Sequence, residues 1–193
     1  MPSTSTPDAI LDCARASIVA GGYNGFSYAD IAAVVGIRKA SIHHHFPTKA
    51  DLVRTLVQRY RAEAEAGMAE SLRTVADPVA RLHGYTDYWA ACIGAPETSY
   101  CLCALLATQI PILPDEVAAE VRAYFRALSD WLTAALETGA AQGIFAFAGS
   151  PRAEAEVFMA TVHGAMLSAR AHGDPGVFAA IADSAIDRLA AHT

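Results

Sequence analysis

A chain of 193 residues that is 53% apolar and 18% charged can bury a sizeable core, which excludes a disordered tail protein. No apolar run reaches the roughly 18 residues of a membrane span, and the first residues carry neither the basic nor the apolar region of an export signal. The net charge of −6 is uneven, +1 over residues 1–66 and −7 over 67–193, so the acidic balance does not exclude a nucleic-acid partner for the first third.

Alanine is abundant, β-branched residues are scattered, and every long segment reads with helical period. Asp8 can cap a first helix with Ile10, Leu11, Ala14 and Ile18 on one face, stopped at Gly21-Gly22. Ser27 and Asp30 form a capping box for a short second helix, with Ile31, Val34 and Val35 pointing inward and Gly36 ending it. A third short helix follows over about 38–45. Pro47-Thr48 breaks the chain, and Thr48 caps a long fourth helix through Leu52, Leu56 and Tyr60. Further helices are predicted over about 78–94, 99–110, 115–142, 152–171 and 176–191. Pro78, Pro96, Pro111, Pro114, Pro151 and Pro175 fall at their boundaries. The fold class is therefore all-α: a three-helix helix-turn-helix domain over residues 1–48, then a helical bundle over 49–193.

Two short helices joined by a tight glycine turn are a DNA-reading unit. Ile31, Ile37, Ile42 and Phe46 would fix their crossing, leaving Arg38, Lys39, Ala40, Ser41, His43 and His44 outward on the third helix. Small Ala40 and Ser41 admit the helix deep into a major groove. Lys39 can donate to guanine, and His43 to a base edge or a phosphate. Ser27 and the neighbouring amides of the second helix can bond a phosphate, and Lys49 can supply a second clamp. His43-His44-His45 does not read as a metal site, since successive helical side chains point about 100° apart.

Gly22-Tyr23, Tyr28-Ala29-Asp30-Ile31-Ala32, Gly36-Ile37 and Ile42-His43-His44-His45-Phe46-Pro47-Thr48-Lys49-Ala50-Asp51-Leu52 together resemble the N-terminal signature of the tetracycline-repressor (TetR) family. The resemblance implies binding to a double-stranded DNA operator, with Tyr28 among the contact residues. It also implies a C-terminal bundle that takes a small-molecule effector, and dimerisation through the last two helices. One position departs from the pattern, because His43 stands where the family usually carries tyrosine and so places a titratable donor there.

The second half can be read on its own. In the 115–142 segment Val117, Val121, Tyr124, Leu128 and Trp131 recur at helical spacing, with Phe125, Leu132 and Leu136 on an adjacent face. Ala160, Gly164, Ala165, Ser168 and Ala169 form a small-residue stripe, and Phe178, Ile181, Ala182, Ala185 and Leu189 an apolar face on the last helix. A two-fold dimer built from these helices would match a palindromic operator, its reading helices roughly 34 Å apart. Candidate effector-binding residues are Tyr88, Trp89, Cys92, Cys101, Cys103, Tyr124, Phe125, Leu128, Trp131, His163 and Met166, apolar walls with a few polar groups. Cys101 and Cys103 sit about 200° apart on a helix, one toward the pocket and one toward the core, and a thiolate there could sense oxidants or electrophiles. The expectation is a cytoplasmic, ligand-released homodimeric repressor that is not an enzyme and needs no cofactor, metal or membrane. The alternative is a helical small-molecule-binding or interaction module without DNA binding.

Overall fold

The structure is a computed structural model that describes residues 5–94 and 100–190, so Pro96 lies outside the described residues. Among these are nine α-helices: α1 (Thr6–Gly21), α2 (Tyr28–Val35), α3 (Lys39–His45), α4 (Lys49–Thr74), α5 (Pro78–Ile93), α6 (Leu102–Ala107), α7 (Asp115–Ala141), α8 (Pro151–His172) and α9 (Pro175–Asp187). A 3₁₀ turn spans Ile110–Ile112, and the described residues hold no strand beyond one isolated bridge, Phe145 with Ala190. Among them, no helix is long and apolar enough to cross a membrane.

Local chemistry explains most helix ends. Asp30 and Ser27 cap α2 reciprocally, as expected. Thr48 and Asp51 do the same for α4: Thr48 N–H donates to the Asp51 carboxylate at 3.2 Å, and Asp51 N–H to Thr48 Oγ1 at 3.1 Å. Gly36 closes α2 at φ 75°, a left-handed conformation that costs glycine little. Pro78, Pro151 and Pro175 each open a helix, where their missing N–H is no loss.

Four details differ from the sequence reading. Ser5, not Asp8, caps α1, because Pro7 suits the first turn and Asp8 becomes the third helical residue, bonded back to Ser5 Oγ. Val34 is 75% exposed, since it lies about 90° around α2 from the buried Tyr28–Ile31 face. The helix expected over 99–110 is shorter, and Cys101 is its N-cap rather than a helical residue. Arg38 likewise precedes α3 as its N-cap.

The described chain forms two compact units, Met1–Glu63 with Cys101–Tyr124 and Ala64–Tyr100 with Phe125–Thr193. The expected boundary at 48/49 separates the chain differently: α4 up to Glu63 groups with α1–α3. In the first unit, Ile10, Ile18, Ile31, Ile42, Leu52 and Val53 make a dry core. Arg59 on α4 bonds Asp8 at 3.0 Å and Asp12 at 3.7 Å on α1, and Gln109 accepts from Tyr23 N–H at 2.8 Å. In the second unit α8 packs on α9 and α9 on α5, around Leu132, Leu136, Phe158, Val162 and Phe178. Arg81 is buried there, its guanidinium donating to the Val75 carbonyl at 2.6 Å.

Candidate nucleic-acid interface and effector-binding residues

The first unit presents α3 through three fixed points. Ile31 and Ile42 are fully buried between α2 and α3, and Phe46 closes the exit. Tyr28 is buried, and its phenol O–H is shared between the carbonyls of Phe46 at 2.9 Å and Thr48 at 2.6 Å. Burial, with the nearby Asp51 charge, pushes that phenol up to about 12. That hydroxyl is turned inward, tying the start of α2 to the end of α3 and the start of α4.

Lys49 is also held. Its ammonium donates to the Phe26 carbonyl at 2.5 Å and lies over the rings of Phe26 at 4.1 Å and Tyr23 at 5.0 Å. Burial lowers its pKa. One of its three donors thus ties the α1–α2 loop to α4, unlike the free clamp the sequence suggests. Ser27 is exposed, and both its hydroxyl and its amide donate to the Asp30 carboxylate at 2.7 Å. A phosphate bond from Ser27 requires that hydroxyl to turn away from Asp30.

Arg38, Lys39, Ala40, His43 and His44 are all exposed, Ser41 is half-buried, and neither Arg38 nor Lys39 joins an ion pair among the described residues. His43 Nδ1 lies 3.1 Å from the Pro47 carbonyl, and its ring meets Tyr28 edge-on at 4.8 Å. The result is a small, basic, solvent-facing ridge on a rigidly seated helix.

The residues expected to bind an effector are distributed over both units. In the first, Cys101 is fully buried, accepting from Tyr60 O–H and donating to Tyr124 Oη, each at 3.6 Å, while also accepting from Ala104 N–H at 3.4 Å. Cys103 is fully buried as well, so neither thiol differs from the other in the way expected. Burial pushes Cys101 up, and Cys103 well up, so both are held as thiols, the less reactive form.

In the second unit Phe125 packs edge-on against His163 at 5.3 Å, and Trp131 meets Tyr85 at 5.7 Å. Trp89, Trp131, Leu128 and Met166 are buried and Cys92 half-buried, whereas Tyr88 is 54% exposed with its ring against Trp89. Tyr88 is thus a surface aromatic that α5 turns outward. Among the described residues, the buried Nε1 atoms of Trp89 and Trp131 and the buried Nε2 of His163 find no hydrogen-bond partner. Burial takes His163 down to about 4, so its ring is neutral at pH 7. Sequence reasoning misses the outer face of α8. Ala153, Val157, Ala160, Gly164, Leu167 and Ala171 line it at three- and four-residue spacing, Val157 and Leu167 each 59% exposed. Only Ala160 and Gly164 of that stripe belong to the small-residue pattern of the sequence; the other four residues lie outside it.

Residues 10–56 match the model of bacterial regulatory proteins of the tetR family, and residues 78–185 match the tetracyclin repressor-like C-terminal domain. A TetR-family transcriptional regulator from Agrobacterium tumefaciens is 59% identical and superposes with a TM-score of 0.93, covering 96% of this chain and 97% of that one. A TetR regulator from Legionella pneumophila is 26% identical, with a TM-score of 0.88 over 99% and 100% of the two chains. A transcriptional regulator from Saccharomonospora viridis, solved in complex with choline, shares the fold at 21% identity and a TM-score of 0.80, covering 99% and 100%. No curated protein matches the sequence. The chain belongs to the TetR family of bacterial regulatory proteins, which are DNA-binding transcriptional regulators.

Proposed function

We propose that the protein is a cytoplasmic homodimeric repressor that binds a palindromic operator through α3 and leaves it when a small effector binds. The observation that carries this reading is the exposed basic ridge Arg38–Lys39, free of ion pairs among the described residues, at the start of a helix whose end is held by Tyr28. Arg38 and Lys39 read base edges, Ala40 and Ser41 admit the helix to the groove, and His43, His44, Ser27 and the free N–H groups of Lys49 serve the backbone.

Two further features support the reading. The exposed apolar stripe of α8 flanks a surface groove to α9, lined by Val157, Thr161, Ile181, Ser184 and Ala185, which suits a second copy related by two-fold symmetry. Buried orphan N–H groups cost about 1–3 kcal/mol each, and an effector bearing hydrogen-bond acceptors would satisfy those of Trp89 and Trp131. The choline complex of the Saccharomonospora viridis regulator shows that the fold can hold a small molecule. Effector binding would favour a conformer in which the two α3 helices miss adjacent major grooves.

Electrophoretic retardation of the DNA upstream of the chain's own gene tests this. Wild type should retard it at low salt, Lys39→Ala should lose preference at one base position, and Val157→Glu with Leu167→Glu should sediment as a monomer and bind far more weakly. Failure of the wild type to retard that DNA at low salt would favour an interaction module instead.

A further inference from the structure

His43 is the family's departure residue, and its hydrogen bond settles which nitrogen carries the proton. The Pro47 carbonyl is an acceptor only, so Nδ1 must be the N–H nitrogen at 3.1 Å. In the neutral ring, Nε2 then bears a lone pair and cannot donate. Protonation adds a proton at Nε2 without disturbing the Pro47 bond, and turns an acceptor into a charged donor. The ring is exposed on the reading helix, so Nε2 is the atom available to a bound nucleic acid.

Its neighbours leave this change uncompensated. From α2 the facing group is Tyr28, a neutral phenol committed to Phe46 and Thr48. On its own helix the charged or titratable groups are Arg38, Lys39, His44 and His45, with Lys39 one turn away on the same side. At the start of α4, Lys49 is bonded to Phe26, and Asp51 is shared by Thr48 and Arg54. From α1, Asp8 and Asp12 pair with Arg59, and Arg15 lies over Tyr60. No carboxylate among these is directed at His43 to satisfy a charged ring, whereas a DNA phosphate would. The last turn of α3 also favours positive charge, its carbonyls being the negative end of the helix.

We propose that His43 bonds the DNA phosphate backbone through Nε2 alone and only in its protonated form, so that DNA binding takes up a proton at this position in each protomer. This rests on the DNA-binding reading above, and the assay separates the two. Because a phosphate contact is independent of sequence, the probe is a fluorescein-labelled random 30-bp duplex, followed by anisotropy at constant low ionic strength from about pH 8.5 to 5.5. Wild type should bind more tightly as pH falls. His43→Gln should lose most of one proton per protomer from the slope of log Kd against pH. His43→Tyr, a neutral donor at every pH, should bind about threefold or more tighter than wild type at pH 8.5. Thermal melts of each variant confirm folding, and if one variant is unfolded the other carries the comparison. Equal pH slopes for wild type and a folded variant would overturn the proposal while leaving DNA binding intact. So would affinity that rises with pH, which would mean neutral Nε2 accepts from a base amino group. Long-range proton–nitrogen correlation at high pH should find the His43 proton on Nδ1; finding it on Nε2 also overturns the proposal. No binding of either duplex or upstream DNA at any pH would instead refute the DNA-binding reading itself.

Discussion

Replacing Tyr28 with Phe separates a structural tie from a DNA contact. The ring stays, and only the O–H shared by the Phe46 and Thr48 carbonyls is lost. Thr48 O keeps Leu52 N–H at 3.1 Å, so the main cost is one buried carbonyl at Phe46 left without its donor. An unsatisfied buried acceptor costs about 1–3 kcal/mol, and about 2 kcal/mol is the reasonable central value here. In a chain of this size that lowers Tm by about 4 to 8 °C in a cooperative melt. DNA affinity should fall as well, because the end of α3 loosens, but the slope of log Kd against log salt should not change, since no phosphate contact is removed. Circular-dichroism melts and anisotropy at four or five salt concentrations measure both quantities. An unchanged Tm with a salt slope smaller by about one would refute this reasoning and restore the phenol as a phosphate contact.

Lys49→Met should cost about 1–2 kcal/mol through the lost Phe26 bond and ring contacts, and should reduce the salt slope by about one because its remaining N–H groups serve a phosphate; an unchanged slope would remove Lys49 from the phosphate contacts. Gly139→Ala should destabilise by about 1–3 kcal/mol in a denaturant melt, because its Cβ would collide with the Phe145 ring; a neutral result would show that the ring can move aside. His163 is lowered by burial to about 4 against about 6.5 unfolded, so the unfolded chain binds the extra proton between those values. Stability is therefore full above about pH 6.5 and falls by up to about 1.4 kcal/mol per unit toward pH 4. His163→Phe should flatten that decline in urea titrations at pH 7 and 4.5, and an equal decline in both proteins would place the titration elsewhere.

Features that depend on near neighbours along the chain are legible in the residues themselves. The Ser27/Asp30 and Thr48/Asp51 boxes, Gly36 and the helix-opening prolines all act within three residues, and the helix-turn-helix spacing follows from them. Features that depend on distant partners are not. Tyr28 and Lys49 pattern as contacts of a DNA-binding surface, yet the Tyr28 hydroxyl and one Lys49 N–H are given to carbonyls 18 and 23 residues away. Cys101 fits a helical period but caps the helix instead, because Ala104 N–H needs an acceptor and Tyr60, 41 residues away, donates to the same sulfur. The exposed stripe on α8 is partly hidden for a different reason: Val157 and Leu167 read as core residues when only apolarity is counted, and burial alone tells them apart.

Hydroxyl-radical footprinting on the DNA upstream of the gene tests the central claim most directly. A two-fold dimer reading through α3 should protect two half-sites related by a dyad, their centres about one helical turn (10–10.5 bp) or a multiple apart, and Lys39→Ala should weaken the pattern without shifting its spacing. A single asymmetric footprint, or no protection at low salt from a folded dimer, would contradict it.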